Sequence, residues 1–347
     1  MLNVATVCSG IGAPEKALHN LQIPYKLIFF SEIDKPAIKS YCAIHNESES
    51  KNIGDLKNFH NHKFNEQIDL LIGGTPCQDF STAGQGAGGE QNSGTRSSLM
   101  WNYLAMIEAL KPKVVIWENV PAVIHSKHYQ NYKKFYFKLM SLGYCIDAHI
   151  HNAKYFNVPQ NRERMFLVAQ RKDCIIPFEH PVGYDSGIRL KDIMDDLPSN
   201  KRLPRFKPII DDKHSTHRII KCGASIDNSY KNGNLLISAN GISDCLTTHD
   251  SNWILFNDTM RKLTAKERFL AMGFEVEDYE ACINAKVSTG AMIAQTGNSI
   301  VVTVLMAIFG QLYKVDWKRK VYKDRYKTQN QLLAELPIFQ RINNEDK

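Results

Sequence analysis

Residues 68–81 have the sequence IDLLIGGTPCQDFS, in which a short apolar run ends at two glycines, a proline and a cysteine. An uninterrupted apolar run of this length predicts a strand of a parallel sheet that is buried on both faces. Ligands of open α/β sheets bind beyond the carboxyl ends of such strands. Cys77 stands just past that end, and Pro76 restricts the backbone before it. We therefore expect an α/β fold with Cys77 at the ligand-binding edge of its sheet.

Other apolar runs support this fold class, because amphipathic stretches such as SLMWNYLAMIEAL at 98–110 lie between them. These runs are NVATVCS at 3–9, KLIFFSE at 26–32 and VVIWENV at 114–120. Strands that alternate with helices predict a doubly wound, mostly parallel sheet.

The composition changes near residue 175. From there to about 258 the chain is rich in Asp, Asn, Ser, Lys and Pro, which predicts a smaller, irregular, β-rich domain. Helical periodicity returns in TAKERFLAMGF, where Thr264 and Glu267 match a capping box and Gly273 suits the helix end. We expect a first domain at 1–174, a second at 175–285, and a return to the first at 286–347. This last segment includes an apolar run that packs on the first domain and a basic tail, for which a solvated helix face is favoured over a nucleic-acid contact.

Composition and charge restrict the function classes. The 347 residues are 43% hydrophobic and 23% charged, which is typical of a globular protein. A net charge of +7 permits a polyanionic partner without requiring one. The 8 cysteines form no C-x-x-C pair and no set with metal-ligand spacing, so we expect a reducing compartment and no metal. No signal-like start and no apolar run of about 18 residues is found, which predicts a cytoplasmic protein.

A cofactor site is indicated by the turn CSGIGAP, which follows the first predicted strand. Gly10 and Gly12 allow a tight turn and the close approach of a ligand, although a simple strand-to-helix turn explains them equally well. Glu32 ends the second strand, where a carboxylate can accept hydrogen bonds from ribose hydroxyls. Asp55 follows a predicted third strand and could accept from an adenine amino group. Because the chain has no phosphate-binding Gly-x-x-x-x-Gly-Lys-Ser/Thr sequence, these residues favour S-adenosylmethionine.

Glu118, Arg162 and Arg164 are the candidate partners of the thiol. Glu118 ends the strand VVIWENV, where burial would raise its pKa and make it a useful acid. In QNRERMFLVA, Arg162 and Arg164 alternate onto one strand face, where they either hold a base carbonyl and a phosphate or form surface salt bridges. The glycine-rich stretch at 81–98 predicts either a closing lid or a surface loop.

CSGIG, GGTPCQDFS, WENV and QNRER, in this order, resemble motifs of the DNA (cytosine-5)-methyltransferases of bacteria and phages. RKLTAKERFLAMGF and QTGNSIVV are similar to the last two motifs of that family, so the resemblance spans about residues 5–310. It implies the S-adenosylmethionine-dependent methyltransferase fold. It also implies methyl transfer to C5 of a cytosine that is flipped out of duplex DNA.

The resemblance assigns roles by motif position. It implies that Cys77 adds to C6 of cytosine, that protonated Glu118 donates to N3, and that Arg164, assisted by Arg162, holds O2. The cofactor contacts that it implies are Gly10, Gly12, Glu32, Ile33, Asp55, Leu56, Leu99 and Asn298.

The segment at about 175–258 corresponds in the resemblance to a target-recognition region. CLTTHD is similar to the Thr-Leu pair that closes this region, with Cys245 in place of threonine, and Thr247 and Thr248 are candidate phosphate contacts. The implied partner is double-stranded DNA, bound by a monomer, and a restriction endonuclease that acts separately is a further option. The candidate DNA contacts, for each of which simple exposure is favoured over base readout, are Arg202, Arg205, Lys207, His214, His217 and Arg218.

Three other functions remain open from the sequence. A tRNA cytosine-5 methyltransferase would share the fold, but the Cys-Phe-Thr sequence of that relative's recognition region is not found. A DNA-binding regulator would have lost catalysis, whereas Cys77, Glu118, both arginines and Asn298 are intact. A dinucleotide-dependent oxidoreductase with a structural Cys77 is the third option.

Overall fold

The larger of two sheets lies in the first half of the chain. In the computed structural model, which describes residues 1–76, 98–125, 129–198, 205–209, 218–225, 235–249, 252–327 and 332, this sheet has six strands. They are β1 (Leu2–Val7), β2 (Tyr25–Ser31), β3 (Leu70–Gly74), β4 (Val114–Asn119), β5 (Tyr144–Asn152) and β6 (Glu163–Arg171). Their order is β2-β1-β3-β4-β6-β5, and β6 alone runs in the direction opposite to the other five strands. The expected mostly parallel sheet is confirmed.

Alternate residues of these strands enter two cores, one on each face of the sheet. On β3, Leu70 and Ile72 join one core while Leu71 joins the other, and on β4 Ile116 and Trp117 divide in the same way. This period of two follows from the pleat of a strand. Because both faces are covered, the strands need apolar residues at every position, which explains their uninterrupted apolar runs.

Helices cover both faces of this sheet. Helix α1 packs against α8 on one face, and α3 packs against α4 on the other. The helices are α1 (Ala13–Asn20), α2 (Lys35–His45), α3 (Leu99–Leu110), α4 (Tyr129–Ser141), α5 (Ala265–Ala271), α6 (Val276–Asn284), α7 (Thr289–Asn298), α8 (Val302–Tyr313) and α9 (Trp317–Tyr322). Among the described residues no single helix is long and apolar enough to cross a membrane, and α7 with α8 reaches that length only as a pair bent by 41°.

A second sheet lies in the segment that the sequence assigns to a smaller β-rich domain. Its strands are β7 (Phe206–Pro208), β8 (Lys221–Ser225), β9 (Leu235–Ser238), β10 (Trp253–Phe256) and β11 (Thr259–Arg261). The order is β11-β10-β9-β8-β7, with only β9 and β10 parallel. Ile237 and Ile254 of this sheet belong to the same core as Phe269 of α5, so the second sheet is packed on the helices that follow it.

Helix α5 begins as its sequence predicts. The Glu267 N–H donates to Oγ1 of Thr264 (3.2 Å), and the Thr264 N–H donates to Oε2 of Glu267 (2.8 Å), which completes the capping box. Gly273 has a φ of +81° just after the helix. Although α5 and α6 precede residue 285, they contact α7 and α2 respectively. The segment limits at 174 and 285 stay a prediction.

The expected third strand before Asp55 is wrong. The structure has only an isolated bridge between Phe30 and Asn52 at this place. Oδ1 of Asn52 accepts the N–H groups of Glu32 (3.1 Å) and Gly54 (3.0 Å), and its Nδ2 donates to the Glu32 carbonyl (3.0 Å). The amide side chain thus makes the hydrogen bonds that a strand would make with its backbone. Asp55 instead caps the short 3-10 helix Leu56–Asn61.

Candidate active site

The turn after β1 has the backbone that its glycines predict. Gly10 and Gly12 have φ values of +55° and +77°, and Cys8 also has a positive φ of 50°. A Cβ at Gly12 would lie 2.1 Å from Nε2 of His45, whereas a Cβ at Gly10 would meet nothing within 4 Å. Glycine is therefore required at 12 by space and conformation, and at 10 by conformation alone. Open space beside Gly10 leaves room for a ligand.

Glu32 is tied to this turn. Its Oε2 accepts the N–H of Gly10 (2.8 Å), and its Oε1 accepts the N–H groups of Ile33 (2.8 Å) and Asp34 (2.9 Å). These three donors orient the carboxylate at the end of β2. Ile33 beside it is 68% exposed. The arrangement suits a carboxylate that accepts from hydroxyl groups of a ligand.

The cofactor candidates do not all meet in one place. Asp55 accepts the N–H of Lys57 (3.0 Å) as a helix cap, and Leu56 is buried in the core on the α3 side. Leu99 begins α3 and packs against the same core. These contacts place Leu56 and Leu99 as packing residues in the structure, and their part in cofactor binding stays a prediction.

A cleft at the carboxyl ends of β1, β3 and β4 joins the cofactor turn to the catalytic candidates. Its described lining includes Gly10, Gly74, Glu118, Asn298 and Ile300. Gly10 comes from the turn after β1, Glu118 from β4, and Asn298 from the end of α7. Residues that are far apart in sequence thus meet at the sheet edge where ligands of this architecture bind.

Cys77 lies outside the described residues, but the chain that leads to it is held firmly. Nε1 of Trp117 donates to Oγ1 of Thr75 (2.9 Å), and Nδ2 of Asn119 donates to the Thr75 carbonyl (3.2 Å). Thr75 is 2% exposed. β4 therefore fixes the last residues before Pro76, and Asn119 ties loop backbone in place.

Glu118 and Arg164 form the ionisable pair of the cleft. Nε of Arg164 lies 3.2 Å from Oε1 of Glu118. Burial raises the pKa of Glu118, and the charges of Arg164 and Arg162 oppose this rise only in part. A Cβ at Gly74 would lie 2.7 Å from Oε2 of Glu118, so glycine is needed for the carboxyl group to lie over β3. Such a carboxyl group is suited to donate a proton.

The side chains of Arg162 and Arg164 both reach Cys245, but their other contacts differ. Arg162 is 3% exposed and donates to the carbonyls of Leu246 (2.9 Å), Gly297 (3.0 Å) and Ser299 (2.8 Å). These bonds connect residues on both sides of Asn298 with Leu246, which lies between β9 and β10 of the second sheet. The contacts favour a positioning role for Arg162, and its predicted assistance in holding the base stays a prediction.

The chain from residue 2 to residue 314 matches the family model described as C-5 cytosine-specific DNA methylase. The chain belongs to this family. It is 44% identical over 174 residues to the orphan methyltransferase M.Rho11sI of Bacillus phage rho11s, which covers 50% of this chain and 34% of the phage protein. It is 29% identical over 373 residues to the type II methyltransferase M2.ScrFI of Lactococcus lactis subsp. cremoris. This match covers 90% of this chain and 99% of the Lactococcus protein.

The comparisons differ in how much of each relative they cover. The chain spans 34% of the length of the phage relative M.Rho11sI and 48% of the length of the phage relative M.SPBetaI. A solved structure of a putative DNA modification methyltransferase encoded within an E. coli prophage is 19% identical, with a TM-score of 0.63. It covers 91% of this chain and 99% of that chain, and at this identity it supports the fold alone.

The candidate DNA contacts of this member of the C-5 cytosine-specific DNA methylase family are only partly described. Arg205 and Lys207 are exposed at β7, Arg218 is partly buried, and Thr247 is exposed beside a partly buried Thr248. Their DNA contacts stay a prediction. The remaining candidates lie outside the described residues: Arg202, His214 and His217.

From the sequence, Cys245 was noted only as a replaced residue, and Arg268 was missed as a functional candidate. The sulfur of Cys245 lies 3.3 Å from Nη1 of Arg162 and 3.7 Å from Nη2 of Arg164. Arg268 of α5 is 1% exposed and donates to the backbone carbonyls of Thr247 and His249. A lone arginine on an amphipathic helix carries no sequence signal, so only the packing of α5 reveals it.

A buried carboxylate under the cofactor turn was also missed. Oε1 of Glu15 accepts from Oγ1 of Thr6 (2.8 Å) and from the hydroxyl of Tyr41 (2.7 Å), and Thr6 is in turn bonded to Ser9 (2.9 Å). Nearby, burial and the charges of Glu32 and Asp55 raise the pKa of Cys8 to about 12. The Cys8 thiol therefore stays protonated and is not a second nucleophile in the cleft.

Proposed function

We propose that the protein is a DNA (cytosine-5)-methyltransferase. The observation that carries the proposal is the meeting of Gly10, Glu118 and Asn298 in one cleft, at the edge where the chain turns towards Cys77. A buried carboxyl group with a raised pKa and a guanidinium 3.2 Å away supply a proton donor and a carbonyl partner. Membership of the C-5 cytosine-specific DNA methylase family supports the same reaction.

The first quarter of the chain fits S-adenosylmethionine. Open space beside Gly10 and the oriented carboxylate of Glu32 suit a nucleoside, and the cofactor supplies an electrophilic methyl group when it is bound. Glu32 would accept hydrogen bonds from its ribose, while Gly12 holds the turn in shape. Asn298 would close the opposite wall of the cleft.

The chemistry proceeds through the groups of the chain. The Cys77 thiolate adds to C6 of the flipped cytosine and forms a C–S bond, while protonated Glu118 transfers its proton to N3 and Arg164 binds O2. The resulting enamine is nucleophilic at C5 and takes the methyl group. A base then removes the C5 proton, N3 returns its proton to the Glu118 carboxylate, and the C–S bond breaks, which restores the C5–C6 double bond and the Cys77 thiolate.

The wider setting is part of the proposal. We propose a cytoplasmic monomer that acts on double-stranded DNA, with any cognate restriction endonuclease acting as a separate protein. Residues 1–174 would bind the cofactor and carry catalysis, residues 175–285 would recognise the target, and residues 286–347 would return to the first domain. The names of the curated relatives, orphan and type II methyltransferases, support a role in DNA modification.

The reaction can be tested with S-adenosylmethionine labelled in its methyl group. We expect label to enter unmethylated bacterial DNA as 5-methylcytosine and not to enter tRNA. Transfer to tRNA alone would favour the RNA methyltransferase, and DNA binding without any transfer would favour the catalytically lost regulator. Bisulfite sequencing of DNA from expressing cells would then give the target sequence.

The nucleophile can be tested with DNA that contains 5-fluorocytosine. Because fluorine cannot leave as a proton does, we expect a covalent adduct between the protein and this DNA in the presence of S-adenosylmethionine. Cys77→Ser should abolish the adduct, whereas Cys145→Ser, which changes an exposed cysteine of β5, should retain it. An adduct in the Cys77→Ser variant would show that another group is the nucleophile.

A further inference from the structure

The segment Cys245–His249, here called the coupling segment, lies between β9 and β10 of the second sheet. Its backbone is bound by side chains from the other part of the molecule. Gln160 Oε1 accepts the N–H of Leu246 (3.0 Å), and Arg162 Nη1 donates to the Leu246 carbonyl (2.9 Å). Gln160 also donates to the carbonyl of Ala271 (2.9 Å).

Arg268 holds the other half of the coupling segment. Its Nη1 donates to the carbonyl of His249 (3.2 Å), and its Nη2 donates to the carbonyls of Thr247 and Ile293. Its Nε donates to Oγ1 of Thr296 (2.9 Å). Since Ile293 and Thr296 belong to α7, one guanidinium joins the coupling segment to the helix that ends at Asn298.

The backbones of the coupling segment and α7 are in direct contact. A Cβ at Gly297 would lie 2.2 Å from the carbonyl carbon of Thr247, so no larger residue fits there without a shift. Gly297 is also bonded through its carbonyl to Arg162 (3.0 Å), and it precedes Asn298 of the cleft. A displacement of Thr247 would therefore move the wall of the cleft.

At its first residue the coupling segment reaches the catalytic pair. The sulfur of Cys245 lies within 3.3 Å of Arg162 and 3.7 Å of Arg164, and Arg164 lies 3.2 Å from Glu118. Cys245 thus contacts the guanidinium that would bind the base. The segment touches both halves of the site, the Glu118–Arg164 pair through Cys245 and the Asn298 wall through Thr247.

We propose that the coupling segment sets the position of the second sheet relative to the reacting groups, and that Arg268 and Cys245 are positioning residues for methyl transfer. The inference rests on the proposed function. Arg268 acts at four acceptors in a planar arrangement that a lysine cannot reproduce. Loss of this arrangement lets DNA bind with its cytosine displaced from Glu118 and Arg164, and such displacements slow a reaction more than they weaken binding.

The test uses full-length protein and DNA synthesised with 5-fluorocytosine at every cytosine. Its variants are Arg268→Lys, Arg268→Met and the control Arg261→Lys. Arg261 is also buried beside α5, but it binds Glu267 (2.6 Å) and the carbonyls of Lys262 and Asp195 rather than the coupling segment. Adduct formation is followed in single turnover at saturating DNA. Melting temperature and the Kd of S-adenosylmethionine are measured on the same samples.

We expect both Arg268 variants to slow adduct formation at saturating DNA by about tenfold to a hundredfold, as a misplacement of the reacting groups would. The Kd of S-adenosylmethionine should change little. Arg261→Lys should lower the melting temperature without this loss of rate. If folded Arg268→Lys and Arg268→Met form the adduct as fast as the unaltered protein, the inference is wrong. If the unaltered protein forms no adduct, the proposed function fails instead.

Cys245 provides a second test that does not depend on the folding of the Arg268 variants. Cys245→Ala removes the contact with both arginines at a partly buried position, so the melting temperature should be nearly unchanged while the adduct forms more slowly. Cys245→Ser retains an acceptor and should restore part of the rate. Equal rates in the alanine, serine and unaltered proteins would remove Cys245 from the proposal.

Discussion

Nε of Arg164 lies 3.2 Å from Oε1 of Glu118, and the side chain of Glu118 is only 11% exposed. The two residues meet because β6 runs antiparallel to β4, which brings the start of β6 to the end of β4. Burial raises the pKa of Glu118 more than the two arginine charges lower it. The guanidinium therefore orients the carboxyl group, while burial favours its protonated form.

Replacement of Glu118 by glutamine should slow methyl transfer about 10²- to 10⁴-fold, the usual loss when a general acid is removed. An amide can donate a hydrogen bond to N3 but cannot transfer a proton, so DNA binding should persist. Single-turnover methylation measures the effect. Glu108→Gln, at an exposed residue of α3 that pairs with Lys138, is the control and should keep the full rate. A full rate in Glu118→Gln would remove Glu118 from the chemistry.

The rate at saturating DNA should fall as the pH rises through the raised pKa of Glu118, because only the protonated carboxyl group donates. Arg164→Ala removes a positive charge that lowers this pKa. The falling part of its pH–rate profile should therefore move to higher pH, whatever the loss in absolute rate. Profiles at constant ionic strength measure the shift, and a falling limb that stays in place would contradict it.

The same raised pKa has a consequence for stability. The stabilisation that protonated Glu118 contributes is fully present below about pH 4.3, the ordinary pKa of glutamate, and is lost as the pH rises through the folded-state pKa. Urea unfolding across this range should show the protein losing stability relative to Glu118→Gln as the pH rises. A difference between the two that is constant with pH would mean that the carboxyl group does not titrate as stated.

Alanine at Gly10 and at Gly12 should differ in effect. Both residues have a left-handed backbone, which costs a non-glycine residue about 1–2 kcal/mol. Gly10→Ala should lose about this much of the free energy of unfolding, because its Cβ meets open space. Gly12→Ala should lose more, since its Cβ would lie 2.1 Å from His45, and it should also bind S-adenosylmethionine more weakly. Urea unfolding and calorimetry measure these effects, and equal losses would speak against the His45 contact.

Replacement of Arg162 should mainly lower stability, whereas replacement of Arg164 should mainly lower the rate of methyl transfer. Arg162→Met leaves the carbonyls of Leu246, Gly297 and Ser299 without this donor, and each unpaired buried group costs about 1–3 kcal/mol. Its free energy of unfolding should fall further than that of Arg164→Met, because Arg164 is more exposed. Arg164→Met should lose more rate per folded molecule. Urea unfolding and single-turnover methylation on one set of samples measure the two effects. A larger loss of stability in Arg164→Met together with a larger loss of rate in Arg162→Met would contradict these roles.

Much of the fold could be predicted from local patterns. The apolar run at β3 and the capping box of α5 each depend on residues that are close in sequence, and both are confirmed. The prediction of a third strand before Asp55 failed because the side chain of Asn52 makes the hydrogen bonds that a strand would make with its backbone. A short polar residue that competes with the ladder cannot be recognised from apolar periodicity.

The candidate site likewise contains residues that the sequence predicts and residues that only the tertiary structure reveals. Glu118 and the glycine turn could be found because their residue types follow predicted strands. Arg268 could not, because its four acceptors lie on segments more than 18 residues away in either direction and include three backbone carbonyls that no motif encodes. Cys245 was noted as a replaced residue, but its contacts with both arginines depend on how the second sheet returns to the first.

The sequence by itself determined the buried strands β1 to β4, the capping box of α5, the glycines of the cofactor turn and the family, because these depend on short-range chemistry and on residue order. The tertiary structure decided which groups share an environment. The antiparallel strand β6 brings Arg164 into contact with Glu118, and burial of that carboxyl group raises its pKa. Arg162 instead donates hydrogen bonds to backbone carbonyls. Desolvation and contact are properties of the packed chain, so no local pattern encodes them.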